Sequence, residues 1–126
     1  MQLRSTIGRV RGLGSAKEGV NHWWAQRMTA VALVPLSLWF VCGVIRLIGA
    51  DYATAVAWFK APVVATLMVL LIVATFYHAA LGLQVVIEDY VHHEGHKIIS
   101  VAVIKGLSAL LGLLAVISVL KLAFGG

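Results

Sequence analysis

Three long apolar runs, separated by short polar stretches, dominate the pattern of the chain. Residues 28–45 carry no charged side chain, and residues 61–87 contain no Asp, Glu, Lys or Arg. Residues 98–124 are also apolar, apart from Lys105 and Lys121 towards the two ends of the run. A helix needs about 20 residues to cross the hydrocarbon core of a bilayer, so each run is long enough to span a membrane.

The continuity of these runs predicts helices, because within lipid only helices and closed barrels satisfy the backbone, and barrel strands alternate in polarity. We therefore predict an all-α membrane protein with three transmembrane helices, at about 27–48, 61–88 and 99–123. Residues 1–126 form one domain, in which 1–26 is an N-terminal segment before the first span. Aromatic residues lie near the span ends, as interfacial anchors do: Trp23, Trp24, Tyr52, Trp58, Phe59 and Tyr90.

Composition supports a lipid environment over an aqueous one. Hydrophobic residues make up 61% of the chain and charged residues 12%, whereas soluble domains are about 25% charged. The net charge of +5 would raise the question of a nucleic-acid partner in a soluble protein. Here the basic residues lie mostly beside the apolar runs, which indicates the lipid bilayer as partner and argues against nucleic acid.

The distribution of basic residues predicts the orientation of the spans. Five basic residues precede or begin the first span: Arg4, Arg9, Arg11, Lys17 and Arg27. Only Arg46 and Lys60 lie between the first and second runs, while Lys97 and Lys105 flank the start of the third. By the positive-inside rule, the N-terminus and the second loop face the cytoplasm and the C-terminus faces the opposite side.

His78 lies inside the second apolar run, where an ionisable side chain is costly and indicates a function. A neutral imidazole there could be an axial haem ligand, or it could hydrogen-bond to a neighbouring helix. Ala74 and Gly82 share its helix face, one turn away on either side. These small residues leave space for a flat macrocycle, although small residues also permit close helix packing.

Asp89 and Tyr90 follow His78 at the end of the same run. Eleven residues are about three helical turns, so Asp89 lies on nearly the same stripe as His78, ~16 Å nearer the cytoplasm. A phenol can donate a hydrogen bond to a carbonyl oxygen, and a carboxylate can hold a proton beside it, as a quinone head group requires. Alternatively, Tyr90 is an interfacial aromatic and Asp89 a loop acid.

Other polar residues are weaker candidates. Arg27, at the start of the first span, could pair with a haem propionate or could simply anchor the span at the interface. His22 lies in the same neighbourhood. His92, His93 and His96 surround Glu94 at a spacing that could bind a metal, but no predicted helix fixes their geometry. We expect these three histidines to lie in a solvated loop.

Two stretches of the chain resemble a known family. The stretch 78–91 resembles the second helix of the hydrophobic membrane anchor subunits of succinate dehydrogenase, which have a His, a Gly four residues later, and Asp-Tyr at eleven and twelve. The stretch 19–30 is similar to the start of the family's first helix, with Arg-x-Thr-Ala. The resemblance implies that His78 is an axial ligand of the haem b iron and that Arg27 lies near the haem propionates. It also implies that Tyr90 donates a hydrogen bond to ubiquinone and that Asp89 is the acid beside it.

The resemblance also implies partners. Members of the family assemble in respiratory complex II with a flavoprotein, an iron–sulfur protein and a second membrane anchor, a cytochrome b subunit that shares the haem. FAD and the iron–sulfur clusters belong to those partners, in agreement with the lack of a Gly-x-Gly-x-x-Gly motif and the single cysteine, Cys42. The chain would thus be non-catalytic on its own and part of a heteromeric bundle. The motifs look alphaproteobacterial or mitochondrial-like, and we expect the bacterial inner membrane rather than the mitochondrial one.

Three other functions fit the same pattern. The chain could be a haem-binding anchor of another respiratory complex, such as fumarate reductase or a hydrogenase. It could be a small proton or ion transport subunit that uses His78 as a relay, which predicts neither haem nor soluble partners. It could also be a purely structural assembly protein, for which His78 would be dispensable.

Overall fold

The structure, a computed structural model, describes residues 17–125, all of whose regular elements are α-helices. In chain order these are α1 (Lys17–Arg46), α2 (Tyr52–Lys60), α3 (Pro62–Tyr90) and α4 (Glu94–Phe124). Within these residues, α1, α3 and α4 are long and apolar enough to cross a membrane. The prediction of an all-α protein with three transmembrane helices is therefore confirmed.

The helix boundaries follow from residues that stop or cap a helix. Gly49 has a φ of 81°, in the left-handed region that favours glycine, and it lies in the turn that follows α1. Pro62 opens α3, where the missing N–H has no helical partner to lose. α1 begins at Lys17 and therefore extends well before the span predicted to start near residue 27. Arg4, Arg9 and Arg11, on which the predicted orientation largely depends, lie outside the described residues.

The short helix α2 lies between the first two spans, in a segment predicted only as a loop. Asp51 caps its N-terminus by accepting a hydrogen bond from the Thr54 N–H at 2.9 Å. Hydrogen bonds from the side chain and the backbone of Thr54 hold the pKa of Asp51 below its usual range. Trp58 of α2 stacks on Trp39 of α1, with ring centroids 5.6 Å apart, so α2 is fastened to the end of the first span.

The loop predicted to hold His92, His93 and His96 is shorter than expected. α4 already begins at Glu94, so His96 lies in its first turn, and His93 caps the helix by accepting a hydrogen bond from the His96 N–H at 3.4 Å. The expectation that no helix fixes these histidines is wrong for His96, which lies in α4, and for His93, which caps it, whereas His92 precedes the helix. All three are exposed, and residues 17–125 contain no group of three His, Cys, Asp or Glu that could hold a metal ion.

The three long helices form an open layer with α3 in the middle. α3 packs against both α1 and α4, but no Cα atom of α1 lies within 8 Å of a Cα atom of α4. The buried side chains are few and apolar: Ala65, Met68, Leu81 and Val119. Many large apolar side chains of the described residues are exposed outside this thin core, as expected of helices that contact lipid or other helices.

Candidate functional site

The centre of the site is a contact between α1 and α3. The Thr29 Oγ1 atom lies 2.9 Å from the Nδ1 atom of His78, and both side chains are half-buried. The Thr29 hydroxyl is also 2.8 Å from the carbonyl oxygen of Ala25 and 3.0 Å from that of Gln26, in the preceding turn of α1. Among the described residues, no hydrogen bond involves the second ring nitrogen of His78, so one edge of the imidazole is held and the other is available.

A second contact between α1 and α3 lies beside Gly82, one turn after His78. A Cβ atom on Gly82 would lie 3.5 Å from the Nε2 atom of Gln26. Since Gln26 precedes Thr29 and Gly82 follows His78, the two helices are antiparallel. The Gln26 amide lies beside Gly82, at ordinary van der Waals distance from where a Cβ atom would be. The Oε1 atom of Gln26 is buried and has no hydrogen-bond partner in the described part of the chain.

Arg27 does not join the Thr29–His78 contact. Two residues along a helix correspond to a rotation of about 200°, so Arg27 leaves α1 on the side away from Thr29. Its side chain is exposed, and the guanidinium carbon lies 5.3 Å from the centre of the Trp23 ring, a cation–π arrangement. His22 is half-buried and lies two turns before Thr29, on nearly the same stripe of α1. Among residues 17–125, neither Arg27 nor His22 forms a hydrogen bond with His78.

Asp89 and Tyr90 form the last turn of α3 and are exposed. The Tyr90 side chain is 78% exposed, so the described residues leave its hydroxyl open to a ligand or a partner. Glu88 precedes them and accepts a hydrogen bond from the Gln84 amide at 3.0 Å. The last turn of α3 thus carries two carboxylates and no basic residue, although negative charge opposes the helix dipole at a C-terminus. Helix stability does not account for this arrangement.

A groove of about 530 Å³ runs between α3 and α4 on another side of α3. Its lining is mostly apolar, with Gln84, Lys105 and Ser108 as polar members. None of the predicted site residues lines the groove. By helical periodicity, His78 points about 130° away from the centre of the α3 face that lines it. The groove and the His78 site are therefore separate features of the described structure.

The structure adds Thr29 and Gln26 to the residues that the sequence indicated. Both are polar residues at the membrane edge of the first span, and Thr29 belongs to the Arg-x-Thr-Ala motif. That position is the signal that identifies them, but their partners on α3 follow only from the packing. The residues fit a haem ligand, because an imidazole held through Nδ1 presents its other nitrogen in a fixed direction.

Several known proteins are similar to this chain over most of its length. A family model described as "Succinate dehydrogenase/Fumarate reductase transmembrane subunit" matches residues 1–120. The succinate dehydrogenase hydrophobic membrane anchor subunit of Rickettsia bellii (strain RML369-C) is 37% identical over 89 residues, 71% of each chain. That of Paracoccus denitrificans is 37% identical over 81 residues, 64% of this chain and 63% of the relative. The succinate dehydrogenase membrane anchor subunit of Reclinomonas americana is 32% identical over 92 residues, 71% of this chain and 77% of the relative. No solved structure matches the chain significantly.

Proposed function

Since this chain belongs to the family of succinate dehydrogenase and fumarate reductase transmembrane subunits, we propose that it is the hydrophobic membrane anchor of a succinate dehydrogenase, respiratory complex II. In this complex it supplies one axial ligand of haem b and part of a ubiquinone site, while the chemistry on succinate belongs to partner subunits. The curated relatives described above are all succinate dehydrogenase membrane anchors, which favours this complex over fumarate reductase. No observation favours a hydrogenase or a transport subunit.

The observation that carries the haem proposal is the contact between Thr29 and His78. It fixes the imidazole through Nδ1 at a half-buried position and leaves the other nitrogen as a donor for iron. Haem b, when bound, takes up and returns a single electron. Arg27 is exposed at the membrane edge and would pair with a haem propionate through its planar guanidinium, on a face of α1 that α3 leaves open. The second axial ligand would come from the partner cytochrome b subunit.

The exposed end of α3 supports the quinone proposal. Tyr90 offers a phenol O–H that can donate to a quinone carbonyl oxygen, and the neighbouring carboxylate of Asp89 can hold or pass on a proton. Carboxylates in the last turn of a helix are unfavourable for the helix itself, and a quinone site gives them a reason. By the charge distribution of the sequence, this end of α3 faces the cytoplasm, where an iron–sulfur partner would dock.

The open layer of helices supports a heteromeric assembly. Because α1 and α4 do not close around α3, the described helices leave broad apolar faces that a second anchor subunit could cover. The small buried core makes the same point, since the chain alone packs few side chains away from its surroundings. We place the complex in the bacterial inner membrane, with a flavoprotein and an iron–sulfur protein bound on the cytoplasmic side.

Copurification from native membranes tests the proposal. The chain carries an affinity tag at its C-terminus, the membranes are solubilised in mild detergent, and the bound proteins are identified. A flavoprotein, an iron–sulfur protein and a second anchor should appear in equal amounts, with a low-spin b-type spectrum that changes on addition of succinate and then of fumarate. A stable, haem-loaded homomer without other subunits would contradict the anchor function. Copurified hydrogenase subunits would point to the alternative respiratory complex.

A further inference from the structure

The proton on the Thr29 hydroxyl determines how His78 can act. The Ala25 and Gln26 carbonyl oxygens can only accept, and they lie 2.8 and 3.0 Å from Oγ1. A hydroxyl has one proton to donate and lone pairs to accept with. If the hydroxyl proton pointed at His78 instead, Oγ1 would face both carbonyl oxygens without a hydrogen between them. Such close approaches of acceptor atoms are repulsive. The hydroxyl therefore donates along its own helix.

The His78 Nδ1 atom must then be the donor in the 2.9 Å contact with Thr29 Oγ1. A neutral imidazole carries one N–H, so the proton on Nδ1 leaves Nε2 with a free lone pair. This is the tautomer in which Nε2 binds a metal, and the ring is aimed by a hydrogen bond from the other edge. The polar contact between helices and the metal-binding form of the histidine are two results of the same hydrogen bond.

We propose that Thr29 is a positioning residue for the axial histidine: its hydroxyl accepts from His78 Nδ1–H, selects the Nε2 lone pair for iron, and makes His78 a stronger electron donor. This inference rests on the proposed haem function of His78. The carbonyls of α1 take part, because they orient the hydroxyl so that its oxygen faces His78. Thr29 touches neither haem nor iron in this arrangement and acts through His78 alone.

The test uses the intact complex with Thr29→Val, which keeps the shape of the side chain and removes the hydroxyl. Haem content and the haem midpoint potential are measured, the latter by spectroscopic redox titration. Outer-shell partners of metal-binding histidines typically contribute 10–100-fold to metal affinity, so haem retention should weaken by about that factor. The midpoint potential should rise, because a less electron-rich imidazole stabilises ferric iron less. Thr29→Ser keeps a hydroxyl and should restore both quantities towards the wild type.

Thr66→Val is the matched control. The Thr66 hydroxyl also donates to the carbonyl four residues earlier, at 2.8 Å from the Pro62 oxygen, but it forms no hydrogen bond with a histidine among the described residues. This variant should leave the haem potential unchanged. If Thr29→Val retains no haem at all, Thr29→Cys replaces it, since the thiol is a weaker acceptor of similar size and should raise the potential by a smaller amount.

A haem-loaded Thr29→Val or Thr29→Cys complex with the wild-type potential would overturn the proposal, because a contact used only for helix packing predicts that result. His78→Ala separates this failure from failure of the haem function. If His78→Ala changes the haem spectrum and the Thr29 variants do not, His78 is a ligand that Thr29 does not tune. If the spectrum survives His78→Ala, the ligand assignment itself is wrong.

Discussion

Gly43 of α1 lies directly against the indole of Trp58 in α2: a Cβ atom on Gly43 would be 2.5 Å from Cζ2 of Trp58. Real Cβ atoms do not approach that closely, so the bulky and rigid indole must shift if a methyl group is added. Gly43→Ala should therefore push α2 away from the end of α1, at a cost of about 1–3 kcal/mol, typical of overpacking. Thermal unfolding of the purified complex, followed by tryptophan fluorescence, measures this loss.

Gly106→Ala is the control for that prediction, because a Cβ atom there would meet nothing within 4 Å. It adds the same methyl group to a long helix and should leave the unfolding temperature unchanged or slightly raised, since alanine favours a helix over glycine. An equal effect of the two substitutions would show that Trp58 is not packed tightly against Gly43.

His78→Ala should remove or change the low-spin b-type spectrum of the complex, because the variant lacks one axial nitrogen. The second ligand should remain in the partner subunit, so that residual haem becomes high-spin or binds another ligand. His96→Ala, which alters an exposed histidine outside the apolar runs, should leave the spectrum unchanged. Absorption and electron paramagnetic resonance spectra of both variants distinguish these outcomes. An unaltered spectrum in His78→Ala would rule out haem ligation by this chain.

Tyr90→Phe removes a single hydroxyl from an exposed side chain and should leave assembly and haem content nearly intact. Succinate–quinone turnover should fall by about tenfold, which corresponds to the loss of one hydrogen bond of about 1.4 kcal/mol. Electron transfer from succinate to an artificial acceptor upstream of the quinone should not change. Tyr52→Phe alters another exposed tyrosine, at the start of α2, and should have no effect on either rate. Equal quinone turnover in wild type and Tyr90→Phe would make Tyr90 an interfacial anchor only.

The Asp51 cap should depend on pH. Because hydrogen bonds from Thr54 lower the pKa of Asp51 in the folded chain, the cap stabilises α2 above the unfolded pKa. That contribution is lost as the pH falls through the lowered, folded pKa. Asp51→Asn retains an acceptor that does not titrate, and Asp51→Ala has none. The measurement is amide exchange at Thr54, compared at each pH with the Asp51→Asn variant. The wild type should exchange faster than Asp51→Asn only under acid conditions, whereas Asp51→Ala should exchange faster at every pH.

Residues that share a helix were predictable from the sequence alone. Because Asp89 follows His78 by eleven residues, helical periodicity predicts that the two lie on nearly the same stripe of one helix. Both residues do lie on α3. The short helix α2 was missed because a nine-residue helix has too few turns to produce a clear periodic signal. α4 begins at Glu94, before the predicted span at about 99–123, and its cap is a histidine, which is not one of the usual capping residues.

Hydrophobicity along the chain determined the number of spans, their approximate limits and the presence of His78 within one of them. These are local properties, because the cost of placing a peptide segment in lipid depends on its own side chains and backbone. The packing of α1 on α3 decided the rest: it brings Thr29 to His78 across 49 residues of sequence and places Gln26 beside Gly82. Such pairings depend on how two helices rotate and slide against each other, which the apolar pattern leaves free because these helices are apolar on nearly every side.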